Sequence, residues 1–275
     1  MPAAPIDAAL LDALGVAVEP DRLAPVFLLV LARTVPLAWL APWLGWQGTA
    51  ALVRVSVAVV LAAALTPLAL SSAPEVPASW LPLFVLGVRE VLVGAAFAIA
   101  ASVPLYALGW TGQLVDRWRG SPPDATVVSP LGDSSPLGAL HLAASVVLFI
   151  ALGGHRLALA AFADGLIDAP VGAGADGASL AAFAMGAGRL VTEALELTVA
   201  FAAPALLAFL VLELVLGLWG RAAPSLRLWM EGMSLRAALG VAVALLSLGA
   251  LLPRLGPTFA GSIDAARALV RSAFG

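Results

Sequence analysis

The sequence predicts an all-α membrane protein: about six hydrophobic helical segments, folded into kinked hairpins and ending in an amphipathic helix. Three observations predict it. The 275 residues are 62% hydrophobic and 11% charged, where a soluble domain carries about 25% charged residues. The mean hydropathy is +1.03. The apolar residues also run unbroken over about 20 positions, the length of a spanning helix. A membrane β-barrel would instead alternate polar and apolar residues over about 10 positions. The links between runs are too short for a separate domain, so residues 1–275 are expected to form a single helical membrane domain.

In chain order, residues 1–21 read as a short amphipathic helix striped by Leu10, Leu11 and Leu14 and stopped at Glu19-Pro20. The first span, Leu23–Leu44, contains Arg33, Pro36 and Pro42. Proline removes a helix hydrogen bond, so this span is expected to be bent or broken. The second is Leu52–Leu70, with a Thr66-Pro67 step near its end, followed by a proline-rich link, Ser71–Pro77. The third begins at Trp80, is apolar to Tyr106, and continues to Arg119 with a polar edge of Gln113, Asp116 and Arg117. Its Gly94, Ala98 and Ser102 recur every four residues, a spacing that lets helices approach closely; chance in so Ala-rich a chain explains it equally well. Gly120–Pro136 holds four prolines and two glycines and is a loop. The fourth span, Leu137–Leu152, stops at Gly153-Gly154-His155-Arg156. Leu157–Ile167 is too short to cross and is either a re-entrant turn or the returning arm of a hairpin. The fifth span, Ala184–Leu218, follows the Gly172–Gly177 link and ends at Gly220-Arg221-Ala222-Ala223-Pro224; the sixth is Leu235–Leu252. The tail, Ser262–Phe274, reads as an amphipathic helix capped by Ser262, with Ile263, Ala266, Val270 and Phe274 on one face.

Several function classes fall away. Without cysteine there is no disulfide, thiolate metal site or cysteine nucleophile. Two histidines, His141 and His155, with no H-E-x-x-H pattern make a poor metal site. No G-x-S-x-G elbow or Walker loop appears. No enzymatic activity, cofactor or metal is expected. A net charge of -3 gives no reason to expect a nucleic-acid partner. The first twenty residues carry Asp7, Asp12 and Glu19 and no basic residue, so a cleaved signal peptide is not expected.

The charges that persist inside apolar runs are Arg33, Arg89, Glu90, Arg189, Glu193, Glu196 and Glu213. In lipid such charges are costly, so they should face protein or water. Arg189, Glu193 and Glu196 form one helical stripe, which is either a salt-bridged patch or a polar seam against a neighbour. Arg89 and Glu90 point about 100° apart on a helix, so one must seek a partner elsewhere. Glu213 is isolated and suits either a partner charge or a proton relay. The arginine-rich and acidic turns alternate as six spans with both termini outside; Arg254, Arg267 and Arg271 in the tail break that pattern.

Three stretches together resemble the SctT/FliR family of type III secretion export-apparatus proteins. The first is Arg89-Glu90-Val91-Leu92-Val93-Gly94 running into Gly109–Gly120. The second is Ser135-Pro136-Leu137-Gly138, then Phe149 through Gly153-Gly154-His155, closing at Ala169-Pro170-Val171-Gly172. The third is Ala203-Pro204-Ala205 continuing to Gly217-Leu218-Trp219-Gly220-Arg221-Ala222-Ala223-Pro224. The likeness covers about residues 22–255. The Ser-Pro-Leu-Gly and Gly-Gly-His steps look more like the injectisome branch than the flagellar one. Ser225 and Arg227 stand where the family often has Gln and Asn, and Glu231 where a small apolar residue is usual.

The resemblance implies a bacterial inner-membrane subunit of a hetero-oligomeric export gate. Its partners would be SctR-, SctS- and SctU-like membrane subunits, membrane lipid and unfolded protein substrates that cross the pore. It implies a pore loop or plug at Gly120–Asp133, with Gly120, Ser121, Pro122, Pro123, Asp124, Ser129, Pro130, Gly132 and Asp133 as its residues; an ordinary surface loop is the competing reading. The candidates for inter-subunit pairing are Arg33, Arg89, Glu90, Glu193, Glu196, Glu213 and Arg221. The competing class is a proton-coupled secondary transporter of a small solute, with Glu213 or Glu193 as the coupling site.

Overall fold

A computed structural model describes residues 20–45, 49–77, 79–120, 127–129, 132–174, 177–222 and 228–272. They form α1 (Pro20–Leu40), α2 (Ala51–Ser72), α3 (Trp80–Trp118), β1 (Val127–Ser129), β2 (Gly132–Ser134), α4 (Pro136–Ala151), α5 (Gly154–Asp168), α6 (Gly177–Ala222) and α7 (Leu228–Ser272). The expected helix over residues 1–21 lies outside the described residues, apart from its last two positions. The fold class matches the sequence reading: four helices are long and apolar enough to span a bilayer, or six spans if each of two bent pairs counts as one.

The architecture is set by α3. At 39 residues it runs about 58 Å at 1.5 Å per residue. Its second half is rich in small side chains, with Ala98, Ala100, Ala101, Ser102 and Ala107 all buried. Small residues allow close packing on every side, and α1, α4, α6 and α7 all pack on this helix. In its most apolar stretch 72% of residues are buried, against 17% in α2 and 22% in α6. So α3 is the core, and α2 and α6 are flanks with long apolar outer faces.

The main hydrophobic cluster joins α3, α4, α5 and α7 through residues such as Phe97, Phe149, Phe162 and Phe259. Phe149 meets Trp43 and Phe259, with ring centroids 5.6 and 5.1 Å apart. A second cluster, with Val26, Leu29, Ala62, Ala69 and Leu166, seats α2 on α1 and α5. A third, with Val115, Leu137, Phe209 and Ala244, closes the far end of α3.

Several boundaries differ from the sequence reading. α1 continues through Pro36 and ends at Leu40, two residues before Pro42. Pro67 stays inside α2. The two-way choice over Leu157–Ile167 resolves as a second helix, α5, leaving α4 at 72° rather than reversing beside it. Gly153 makes that corner with a φ of +77°, a conformation that costs glycine little and a β-branched residue a great deal. The tail is not a separate helix. It continues the second limb of α7, which bends by 59° between Leu246 and Leu251. Ser262 therefore caps nothing; its hydroxyl donates to the Phe259 carbonyl at 2.9 Å. Its expected apolar face does pack inward, with Ile263, Ala266 and Val270 buried; Phe274 lies outside the described residues.

Candidate functional site

Two polar constructions stand out in this apolar chain. The first is centred on Arg33 of α1 and Glu90 of α3, which are 2% and 0% exposed. The Arg33 Nε donates to Glu90 Oε2 at 2.6 Å, and Nη2 lies 2.5 Å from the same oxygen. Arg33 Nη1 donates to the carbonyls of Gly165 and Ala169 at 3.3 and 2.9 Å, gripping the open end of α5. Glu90 Oε1 accepts from the Gly172 N–H at 3.2 Å. Arg89 donates to the Ala173 carbonyl. A buried pair is tolerable only when its remaining donors and lone pairs are also met, and backbone groups of residues 165–173 meet them. One turn beyond Glu90, Gly94 rests against the Arg33 carbonyl with no room for a Cβ. That close approach lets the Arg33 and Glu90 side chains meet.

The second construction is the base of the proline loop. Asp116, 1% exposed near the end of α3, accepts from Arg119 Nε at 2.5 Å and from the Leu137 backbone N–H at 2.6 Å. It ties the last turn of α3 to the first turn of α4. Gln113 Nε2 donates to Ser134 Oγ at 3.2 Å. Ser135 caps α4, accepting from the Gly138 N–H at 3.3 Å with Pro136 in the first turn. His141 Nδ1 sits 2.8 Å from the Leu137 carbonyl. The loop is not wholly without structure. β1 and β2 pair antiparallel, with Val127 opposite Ser134, Val128 opposite Asp133 and Ser129 opposite Gly132. Two consecutive β-branched valines favour that extended pairing. Gly120 is the turn that leaves α3, while Ser121, Pro122, Pro123, Asp124 and Pro130 lie outside the described residues. Gln113 and Asp116 were visible as a polar edge on an apolar helix; their partners were not.

The seven candidate pairing charges divide. Arg33 and Glu90 pair with each other within the chain, and Arg89 is bound to the backbone, so these three have partners inside the chain. Glu213 is a further correction. It is neither isolated nor paired with Arg33 or Arg89, but takes a two-pronged bond from Arg236, with Nε and Nη2 at 2.7 and 2.9 Å from its two oxygens. The signal for this pair was available. Glu213 lies nine residues before the end of α6 and Arg236 eight after the start of α7, so antiparallel pairing of these two packed helices sets them side by side. Glu193 and Glu196 are exposed on α6, with Arg189 beside them, and form no ion pair among the described residues. Arg221 is exposed at the end of α6, likewise unpaired there. Ser225 and Arg227 lie outside the described residues.

The basic tail finds partners too. Arg267 reaches Asp164 and Asp168 at 3.0 and 3.1 Å, and Arg271 reaches Asp168 at 2.8 Å. These arginines pair with the acidic turn they lie against. Among the described residues no three His, Asp or Glu side chains are placed to hold a metal ion.

Comparison with known proteins adds two findings. The sequence model of a family described as bacterial export proteins, family 1, matches residues 24–261. The flagellar biosynthetic protein FliR of Caulobacter vibrioides is 26% identical over 221 residues, which cover 80% of this chain and 87% of that protein.

Proposed function

The chain belongs to the bacterial export proteins, family 1, and from that premise we propose that it forms and gates the pore of a type III export gate of the injectisome kind. It is a multi-pass inner-membrane protein and a component of a bacterial export apparatus. The finer reading is that unfolded protein substrates pass a conduit it builds with SctR-, SctS- and SctU-like subunits, and that Gly120–Asp133 closes this conduit. The observation that carries the gating reading is the anchored loop base. Asp116 joins both ends of the loop to rigid helices, while α3 below it is the buried centre of the molecule. Both ends of the segment are thereby fixed to the core, whatever position the segment between them takes.

Glu193, Glu196 and Arg221 are the charges left for pairing with other subunits, with Arg189 beside them. The injectisome assignment rests on the Ser135–Gly138 and Gly153–His155 steps, while the relative named above is flagellar. The test of gating uses the chain co-expressed with the three partner types. Deleting residues 121–131 is expected to leave the complex assembled and raise ion conductance in planar bilayers. An assembled complex with unchanged conductance sinks the gating role. Deleting the gene separates the branches: the injectisome reading requires lost effector secretion with swimming intact.

A further inference from the structure

The corner between α4 and α5 carries polar groups that nothing in the described chain satisfies. Arg156 is exposed, and its guanidinium has no ion-pair or hydrogen-bond partner among the described residues. The buried Nδ1 of His155 has no partner. The N-terminus of α5 has no side-chain cap and no acidic residue in its first turn, so its positive end is also unmet. The guanidinium and the helix end call for an anion.

The depth of this corner decides which anion. Ser72, at the end of α2, donates to the Leu166 carbonyl at 3.0 Å. Leu159 of α5 lines a groove with Val57, Val60, Leu61 and Ala64 of α2, so α5 runs alongside α2. Arg156 is ten residues before Leu166, about 15 Å along the helix. The 22 residues of α2 span about 33 Å, the thickness of a hydrocarbon core. Arg156 therefore sits near the mid-depth of a spanning helix. A phospholipid phosphate lies at the edge of that core, about 15 Å away. A carboxylate carried on another membrane helix can be at mid-depth, paired as such residues are.

The groove beside the corner fits a helix. Its volume is about 490 Å³ and its walls are Leu44, Leu52, Val57, Val60, Leu61 and Leu159, among others. Leu159 is three residues after Arg156, on the same side of α5. We propose that this α2–α5 groove is a docking surface for a membrane helix of a different subunit, whose Asp or Glu at mid-depth pairs with Arg156. The proposal rests on the export-gate reading and names where one partner sits.

The experiment uses the full chain in native membranes with its partner subunits, with the photo-crosslinking amino acid p-benzoylphenylalanine placed at Val60. The expected result is an adduct with a different membrane polypeptide, mapped by mass spectrometry to an apolar segment carrying an Asp or Glu. Arg156→Leu should lower the adduct yield by about tenfold or more, as losing one member of a desolvated pair does, and Arg156→Lys should retain most of it. Arg156→Glu should abolish the adduct, and replacing the mapped carboxylate by Arg in that background should restore it. Because Arg156 is exposed, these variants keep the fold, which size-exclusion profiles will check. Adducts only with lipid, adducts only with a second copy of this chain, or a yield indifferent to Arg156 each overturn the proposal. A conducting, assembled gate with no adduct at Val60 refutes the docking surface alone, whereas failure to assemble with any other subunit refutes the export-gate reading beneath it.

Discussion

Arg33 and Glu90 show how a charge is made tolerable in an apolar interior. Both are fully committed, to each other and to backbone groups of the turn at 165–173. Removing one partner strands the other, at a cost of about 3–5 kcal/mol. Arg33→Ala and Glu90→Ala should each lower the melting temperature sharply in detergent, while Arg33→Leu with Glu90→Leu should recover most of it. A double variant no better than the singles would contradict the pairing. Gly94 belongs to the same device. Gly94→Leu would push a side chain into the Arg33 carbonyl, separate α1 from α3, and lower folded yield about as much as breaking the ion pair. Glu90 was conspicuous in the sequence, but Arg33 is 57 residues away and no local pattern links the two. Glu213 and Arg236, by contrast, are legible once the fifth and sixth spans are paired antiparallel, because similar distances from the break between them fix who faces whom.

At the scale of elements, the apolar runs placed all the long helices, since unbroken hydrophobic length needs no tertiary information. What escaped was the effect of neighbours on helix ends. Proline at 36 and 67 did not stop α1 or α2; the break at Gly153-Gly154 was legible, but not the 72° corner it makes. The tail joined α7 because packing on α3 and α5 continued the helix through two prolines. The loop base makes an elemental prediction. Asp116→Ala frees both Arg119 and the Leu137 N–H, and should cost about 1–3 kcal/mol for the unmet buried groups. We expect a gate that assembles but leaks, and single-channel recording in planar bilayers will read it. A silent Asp116→Ala channel would detach this residue from gating. The Glu213–Arg236 pair is half-exposed, so Glu213→Gln should weaken the α6–α7 hairpin only modestly in water and more in lipid, where the stranded arginine is costly. Limited proteolysis within residues 223–227 in detergent and in nanodiscs will compare the two.

For the whole molecule, the second limb of α7 matters more than its polar surface implies. Removing residues 262–275 takes away buried Ile263, Ala266, Leu269 and Val270, and each of the larger ones contributes about 1.5–3 kcal/mol. That truncation should abolish folded material on size exclusion, whereas Arg271→Ala, which breaks an exposed ion pair, should cost less than about 1 kcal/mol. The length of α6 has a different consequence. From Ala181 to Ala222 it is 42 residues, about 63 Å, against a hydrocarbon core of about 30 Å, and it carries Arg189, Glu193, Glu196, Glu213 and Arg221. Fitting it inside would require a tilt of about 60°, beyond the roughly 40° at which membrane helices stop. Part of this helix therefore stands outside the hydrocarbon, where its charges can be hydrated or paired.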